Sequence, residues 1–334
     1  MSALSNLLIP AVLFFALGFL ARVIKSDLRL PQDLAKMLSI YLLVAIGLHG
    51  GYELGRSDLG AAFSAVLWAV ILGFGLPLIG YALLLCTRRV DRMNAAAIAA
   101  HYGSVSAGTF LTAIAYLDSA GITYESYPVI MLAVMESPAI IVGLLLASWS
   151  RRQLVGAGDA DPVNGNGGGR RQWKTLAHEA LTNGSVVLLL GSMVIGAVSR
   201  PGSMEKLSPF IDEIFMGVLC LFLFEMGMEA ARRIREFRKV GPVLVGFGLL
   251  MPLIGGAIGI AVGHLALGLS IGGTTLVGVL GASASYIAVP PAMRLAVPEA
   301  NPSFYLTLAL GITFPFNVVV GIPLYHHLAT LIAT

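Results

Sequence analysis

The sequence has few charged residues: Asp, Glu, Lys and Arg make up 12% of its 334 residues, whereas hydrophobic residues make up 57%. Soluble domains carry about 25% charged residues, so this composition excludes an ordinary soluble domain. Cysteine is also scarce. Cys86 and Cys220 both lie in apolar runs, which excludes a disulfide framework or a cysteine metal motif. The net charge of +3 comes from short basic loops and does not indicate a nucleic-acid partner.

Long apolar runs separate the few charged residues. Ten of them approach the ~20 residues that a helix needs to cross a bilayer. They cover residues 4–24, 35–52, 60–86, 93–117, 127–149, 183–199, 209–230, 241–264, 271–293 and 303–331. The sequence therefore predicts an all-α integral membrane protein with ten transmembrane helices, surrounded by membrane lipid.

The lysine and arginine residues predict the orientation of these helices. If the N-terminus lies outside, 18 of the 21 basic residues fall in cytoplasmic loops, and only Arg56, Arg200 and Lys206 fall outside. Such an excess marks the cytoplasmic side. We therefore predict a multi-pass protein of the cell inner (plasma) membrane, with both termini on the periplasmic or outer side. Basic residues follow the first run and do not precede it, which favours an anchor over a cleaved signal peptide.

The chain is predicted to be a duplication of two halves, 1–150 and 173–334. A stretch rich in glycine and arginine, 151–172, separates them and has too few apolar residues to fold alone, so we predict a cytoplasmic linker. Equivalent residues recur in the same order: Gly47 and Gly227 are 180 apart, Ser106 and Ser285 179, and Pro138 and Pro315 177. Five helices are an odd number, so the second half enters the membrane in the opposite direction. Inverted repeats of this kind are typical of alternating-access transporters.

Small residues interrupt two of the apolar runs at equivalent places. Residues 103–109 read Gly-Ser-Val-Ser-Ala-Gly-Thr in the fourth run, and residues 281–285 read Gly-Ala-Ser-Ala-Ser in the ninth. They predict that helices 4 and 9 are broken in mid-membrane, which lipid tolerates only around a protected cavity. The second half of helix 9 is expected to begin within residues 286–291. Because the two helices run in opposite directions, the positive ends of their second halves would face each other.

The facing helix ends predict a site for a small anion that needs no lysine or arginine. Hydroxyl groups near both breaks would add hydrogen-bond donors. The candidate substrate-binding residues are Gly103, Ser104, Ser106, Gly108, Thr109, Ser283, Ser285 and Tyr286. The alternative is that these small residues only allow close packing of helices.

Glu136 lies inside the fifth run, where an ionisable side chain indicates function. The counterpart region in the tenth run holds Thr313 and Asn317, and Pro138 and Pro315 each free a backbone carbonyl. Oxygen ligands suit a small hard cation, so we expect Glu136, Thr313 and Asn317 to form a cation site. The alternative is a Glu136 that is protonated or hydrogen-bonded to a neighbouring hydroxyl.

Other polar residues of the apolar runs have simpler interpretations. Glu225 and Glu229 lie beside Arg232 and Arg233 near the end of the seventh run, where we expect interfacial ion pairs. His101 lies alone among small residues of the fourth run, and we expect a hydrogen-bonded packing residue.

The motifs at the two breaks, together with Met135–Ala139 and Glu225–Ala230, resemble the sodium-dependent bicarbonate transporter family, which includes the cyanobacterial high-affinity bicarbonate permeases. The resemblance covers nearly the whole chain except the linker and is most specific over 281–323. It implies two inverted five-helix repeats arranged as a core and a gate domain, elevator-like movement, and sodium-coupled uptake of bicarbonate. It also implies a homotrimer and a PII-like regulator on the cytoplasmic face.

The chain departs from the characterised branch of that family at Tyr286, where the family carries an acidic residue. Tyrosine supplies no carboxylate at neutral pH, so the cargo or the coupling ion can differ here. The alternative within the class is a transporter of another small carboxylate or oxyanion, coupled to protons or sodium. An intramembrane enzyme is a remote alternative, because neither a His-Glu-x-x-His nor a Gly-x-Ser-x-Gly motif occurs in the sequence. No cofactor is expected besides sodium as the coupling ion.

Overall fold

The computed structural model describes residues 9–28, 31–56, 58–155, 184–234, 237–287 and 289–333. Helices occupy most of these residues, and no strand occurs among them. The start of the first predicted run, before residue 9, lies outside the described residues. So does the predicted linker 151–172 from residue 156 onward.

Six helices make up the described part of the first half. They are α1 Pro10–Val23, α2 Gln32–Leu54, α3 Leu59–Cys86, α4 Arg92–Gly103, α5 Ala107–Ser119 and α6 Tyr127–Val155. The helix α6 continues past residue 151, where the linker was predicted to begin. The helices α4 and α5 share the fourth predicted run, and the gap between them is the first break.

The described part of the second half contains nine helices and more local distortion. Its helices are α7 Gly184–Val198, α8 Pro201–Ser208, α9 Phe215–Ile234, α10 Phe237–Ala261, α11 Ile271–Ala282, α12 Val289–Ala296, α13 Pro302–Leu306, α14 Phe314–Phe316 and α15 Ile322–Ala333. Turns of π-helix at Pro209–Glu213, Val262–Ala266, Thr307–Thr313 and Asn317–Gly321 extend or join these helices. The last three helices and the two π-helical turns between them thus form one helical stretch, Pro302–Ala333.

Six helical stretches of the described residues are long and apolar enough to cross a membrane. They are Lys36–Leu54, Gly60–Cys86, Tyr127–Arg151, Pro201–Arg233, Val240–Ala266 and Pro302–Ala333. Shorter apolar helices occur at Pro10–Val23, Val187–Val198 and Ile271–Ala282. The chain is therefore an all-helical, multi-pass membrane protein, and the inverted repeat of ten helices stays a prediction.

The helices α4 and α11 match each other in detail. Each is 12 residues long, and each begins after a side chain that accepts hydrogen bonds from the first turn, Asp91 for α4 and Ser270 for α11. Each also ends at a serine in extended backbone, with φ −88° and ψ 170° at Ser104, and φ −87° and ψ 163° at Ser283. The shared length, cap and ending support the duplication that the sequence predicts.

The helices pack in two groups. In the first group, α1 lies along α9 and α2 lies along α7 and α9. In the second, α3, α4 and α6 pack together, as do α10, α11 and the stretch Pro302–Ala333. Glycines allow the crossing of α1 and α9: a Cβ added at Gly18 would lie 1.9 Å from the Phe224 carbonyl oxygen, and one at Gly227 2.1 Å from that of Phe15. Such backbone approaches are typical of helix contacts in membranes.

Candidate functional site

The first break lies between α4 and α5. The end of α4 packs closely on α3, since a Cβ added at Gly103 would lie 1.9 Å from Pro77 Cγ. After the extended Ser104, Ser106 caps α5, and its Oγ accepts hydrogen bonds from the backbone N of Thr109 at 3.1 Å and from Thr109 Oγ1 at 2.9 Å. The positive end of the α5 dipole therefore lies at this break, as the sequence predicts.

The second break separates α11 from α12. The α11 helix ends at Ala282, and α12 begins at Val289 with Pro290 in its first turn. Proline is favourable there because its missing N–H is unpaired in a helix start anyway. The sequence placed this start within residues 286–291, and the structure confirms it.

Two hydrogen bonds join the breaks into one unit. The backbone N of Ser106 donates to Ser283 Oγ at 3.0 Å, and the backbone N of Ser285 donates to the His101 carbonyl oxygen at 2.8 Å. All four residues are buried. Ser283 therefore holds the breaks together, while Ser106 and Thr109 stabilise the start of α5.

A small cavity lies where the two breaks meet. It is lined by Ser39 and Leu43 of α2, by Val105, Ser106 and Ala107 of the first break, by Glu136 of α6, and by Ser285, Tyr286 and Ile287 of the second break. Its volume is about 10 Å³, which is enough for about one water molecule. Of the candidate residues, the structure thus brings Ser106, Ser285, Tyr286 and Glu136 to one buried space.

Tyr286 enters this site from the second repeat and reaches the start of α5. A Cβ added at Gly108 would lie 2.4 Å from Tyr286 Oη and 2.9 Å from Phe222 Cε1, so a larger residue there would displace these side chains. The side chain is 9% exposed, and its hydroxyl faces Ser106 without reaching hydrogen-bonding geometry. Ser104 Oγ is likewise buried without a hydrogen-bond partner. Buried hydroxyls without partners are energetically costly, so the hydroxyls of Ser104 and Tyr286 are candidates for binding a ligand.

The expected cation ligands do not line one cavity. Glu136 lines the small cavity, whereas Thr313 and Asn317 do not. Thr313 Oγ1 donates to the Gly248 carbonyl oxygen at 2.7 Å and contacts Tyr102 Oη at 2.6 Å. Asn317 Nδ2 donates to the Ala282 carbonyl oxygen at 2.8 Å. These hydrogen bonds hold the stretch Pro302–Ala333 against α10 and α11, and the expected role of Thr313 and Asn317 in a cation site stays a prediction.

Three other polar residues of the apolar runs, His101, Glu229 and Glu225, have different surroundings. His101 is a packing residue as expected, with Nδ1 at 2.6 Å from the Ala97 carbonyl oxygen and its ring stacked on Tyr305. Glu229 pairs with Arg233 at 3.0 Å, as expected. The ion pair expected for Glu225 is wrong, since its Oε2 is buried without a hydrogen-bond partner. The neighbouring arginines reach Glu229, which lies one turn further along α9.

Two larger cavities flank the small one. One, of about 740 Å³, is a vestibule that reaches Tyr286 and Ile287 and carries the basic residues Lys36, Arg233 and Arg294 beside Glu229. The other, of about 210 Å³, carries Glu53, Asp118 and Asp212. His49 lies between two of these acids, at 3.3 Å from Glu53 and 3.4 Å from Asp212.

One face of α2 follows all three cavities. Lys36 and Ser39 line the vestibule, Leu43 lines the vestibule and the small cavity, and Ile46, His49 and Glu53 line the acidic cavity. The spacing of three or four residues keeps these side chains on one face over about 25 Å. The sequence interpretation missed Ser39 and Leu43. The polar residues at this helical spacing were the available signal.

A profile described as the Na+-dependent bicarbonate transporter superfamily matches residues 10–330, which include both breaks, Glu136 and α2. No curated protein matches the chain significantly.

Proposed function

The chain belongs to the Na+-dependent bicarbonate transporter superfamily, and we propose that it is a secondary transporter that imports bicarbonate together with sodium. The observation that carries this proposal is the meeting of two broken helices at one buried cavity with hydroxyls and one carboxyl group. Such paired breaks are where alternating-access transporters bind their cargo.

The anion is bound by dipoles and hydroxyl groups in this proposal. The start of α5 offers a positive helix end, and Ser285 and Tyr286 offer hydroxyls from the opposite repeat. Gly108 leaves the space that Tyr286 needs, and Ser104, next to the cavity-lining Val105 in sequence, holds a second unpartnered hydroxyl. Gly103, Ser106, Thr109 and Ser283 keep the break open by their packing, cap and hydrogen bonds. Without a lysine or arginine, the affinity would be moderate, as release of cargo requires.

The cation is proposed to bind at Glu136. It is the carboxyl group that lines the small cavity, where a cation would lie beside the anion. Opposite charges taken together into a low-dielectric site cost less than either alone. Thr313 and Asn317 then act by positioning the second repeat, consistent with their hydrogen bonds to α10 and α11.

Alternating access is proposed to occur between the two groups of helices. The group of α1, α2, α7 and α9 would serve as the gate, and the broken helices would move with the core. Lysine and arginine are in excess on the cytoplasmic side of membrane proteins. The vestibule, which carries Lys36 and Arg294, would therefore face the cytoplasm, and the acidic cavity would face the outside. Carboxylates at the outer mouth would raise the local concentration of sodium. A homotrimer and a PII-like regulator are further expectations from the family.

Uptake into proteoliposomes tests the proposal. Purified protein with an inward sodium gradient should accumulate labelled bicarbonate, and collapse of the gradient should stop accumulation. Uptake of another small carboxylate or oxyanion, driven by protons or sodium, would establish the alternative cargo. No uptake of any small anion would contradict a transporter of this class.

A further inference from the structure

We propose that Glu136 alone carries the coupling charge, so that one monovalent cation crosses with each monovalent anion and transport is electroneutral. This inference rests on the proposed function, since it takes the small cavity as the binding site for the cargo. It adds the coupling ratio and the reason why anion and cation must bind together.

The charges at the small cavity are simple to count. Among the described residues that line it, Glu136 is the one with a carboxyl group, while Ser39, Ser106, Ser285 and Tyr286 offer hydroxyls. The ion pairs of the described residues do not include Glu136. A buried carboxylate without a cationic partner is unfavourable, so it favours binding of a cation.

The cargo and the Glu136 carboxylate would share the positive end of α5. Glu136 lines the cavity, so an anion bound there would lie close to its carboxyl group. Two negative charges at that distance in a protein interior repel strongly. The unpartnered Tyr286 hydroxyl, buried and lining the same cavity, independently marks the space as a ligand site. The anion therefore binds only with a cation that neutralises Glu136.

The number of cations follows from the number of carboxyl groups. Tyr286 supplies no negative charge, and Glu225, although it is close enough to Tyr286 to act on it electrostatically, lines neither the small cavity nor the vestibule. A second cation would therefore find no second carboxyl group among the described residues that line the small cavity. The loaded site, with one cation and one anion, then has the same net charge as the empty site. Both directions of the transport cycle move the same charge, so the membrane potential does no net work.

The membrane potential distinguishes this ratio from others. In proteoliposomes, the potential can be set to zero or about −100 mV with potassium and valinomycin, while sodium and bicarbonate gradients oppose each other. The measured quantity is the sodium gradient that just stops net bicarbonate flux. We expect this gradient to be the same at both potentials. If two sodium ions crossed with each bicarbonate, the one uncompensated charge would shift that sodium gradient about 7-fold per 100 mV, because its energy of about 2.3 kcal/mol is shared by two ions.

The variant Glu136→Gln removes the coupling charge but keeps the size of the side chain. We expect bicarbonate flux that no longer requires sodium and that responds to potential as a single negative charge. Glu225→Gln is the matched control, because it removes another unpartnered intramembrane carboxyl outside the cavity. It should keep sodium-coupled, potential-independent uptake. If Glu136→Gln fails to fold, Glu136→Asp, which keeps the charge, should keep the equal ratio.

Three results would overturn the ratio while the proposed function stands: a wild-type balance that shifts with potential, a Glu136→Gln variant that stays sodium-coupled, or a Glu225→Gln variant that loses coupling. Absence of any wild-type anion flux would instead overturn the proposed function, and with it the ratio.

Discussion

Ser106 and Ser283 lie in different halves of the chain, yet the backbone N of Ser106 donates a 3.0 Å hydrogen bond to Ser283 Oγ. The bond ties the start of α5 to the end of α11, so the two breaks cannot separate without losing it. A ligand that moves one break would therefore also move the other. This link supports the proposal that the two interruptions form a single site.

Serine substitutions should separate binding from stability. Ser285→Ala removes a hydroxyl that lines the cavity, so we expect the KM for bicarbonate uptake to rise about 10-fold with an unchanged melting temperature. Ser106→Ala also removes the cap of α5, so it should lower the free energy of unfolding by about 1 kcal/mol as well. Thermal unfolding in detergent and uptake kinetics measure the two effects. Ser150→Ala, which loses a 2.7 Å bond to the Leu146 carbonyl oxygen away from the cavity, is the control. Equal KM values for Ser285→Ala and the control would show that the serine only packs.

The Tyr286 hydroxyl is expected to contribute to binding of the anion. Tyr286→Phe removes one buried donor, so we expect a rise in KM of about 10-fold with the same dependence on sodium. Tyr305→Phe removes another buried hydroxyl without a partner, one that does not line the small cavity, and should leave KM unchanged. A changed sodium dependence in Tyr286→Phe would instead place the phenol beside the cation.

The contact of α1 with α9 should depend on Gly227. A Cβ at this position meets the Phe15 carbonyl oxygen at 2.1 Å, so Gly227→Ala should push the helices apart and cost about 1–3 kcal/mol. Gly217 lies on the same helix with nothing within 4 Å of an added Cβ. Gly217→Ala should therefore stabilise the helix by about 0.5–1 kcal/mol. Shifts in melting temperature of opposite sign for the two variants, relative to the wild type, would confirm the close crossing of α1 and α9. Two similar shifts would contradict it.

The pair of Arg151 and Glu299 should show a defined pH dependence. Two hydrogen bonds of 2.9 and 2.8 Å from the Arg151 guanidinium hold the pKa of the Glu299 carboxyl below its usual range. A lowered carboxyl pKa stabilises the protein above the unfolded pKa of about 4.3, and the gain is lost as pH falls through the folded pKa. Both groups are partly exposed, so Arg151→Ala should cost about 0.5 kcal/mol or less. The difference from the wild type should be constant between about pH 7 and pH 5 and shrink below about pH 4. A difference that grows on acidification would contradict this assignment.

The breaks could be predicted from the sequence, but the composition of the cavity could not. Small residues at equivalent offsets mark both breaks, and the side-chain caps at Asp91 and Ser270 are local signals that sequence carries directly. The grouping of Glu136 with Thr313 and Asn317 relied on the repeat. The structure instead places Glu136 beside Ser285, while Thr313 contacts Tyr102 across 211 positions in sequence. Which helices meet depends on packing of whole surfaces, and a pattern along one helix does not encode it.

The most direct test of the central claim is the linkage between the two ligands in purified protein. If one cavity holds sodium and bicarbonate together, saturating bicarbonate should lower the Kd for sodium, and saturating sodium should lower the Kd for bicarbonate by the same factor. We expect a factor of about 5–150, typical of coupled sites. Glu136→Gln should abolish it. Kd values for each ion that do not depend on the other ion would contradict a shared site at the paired breaks.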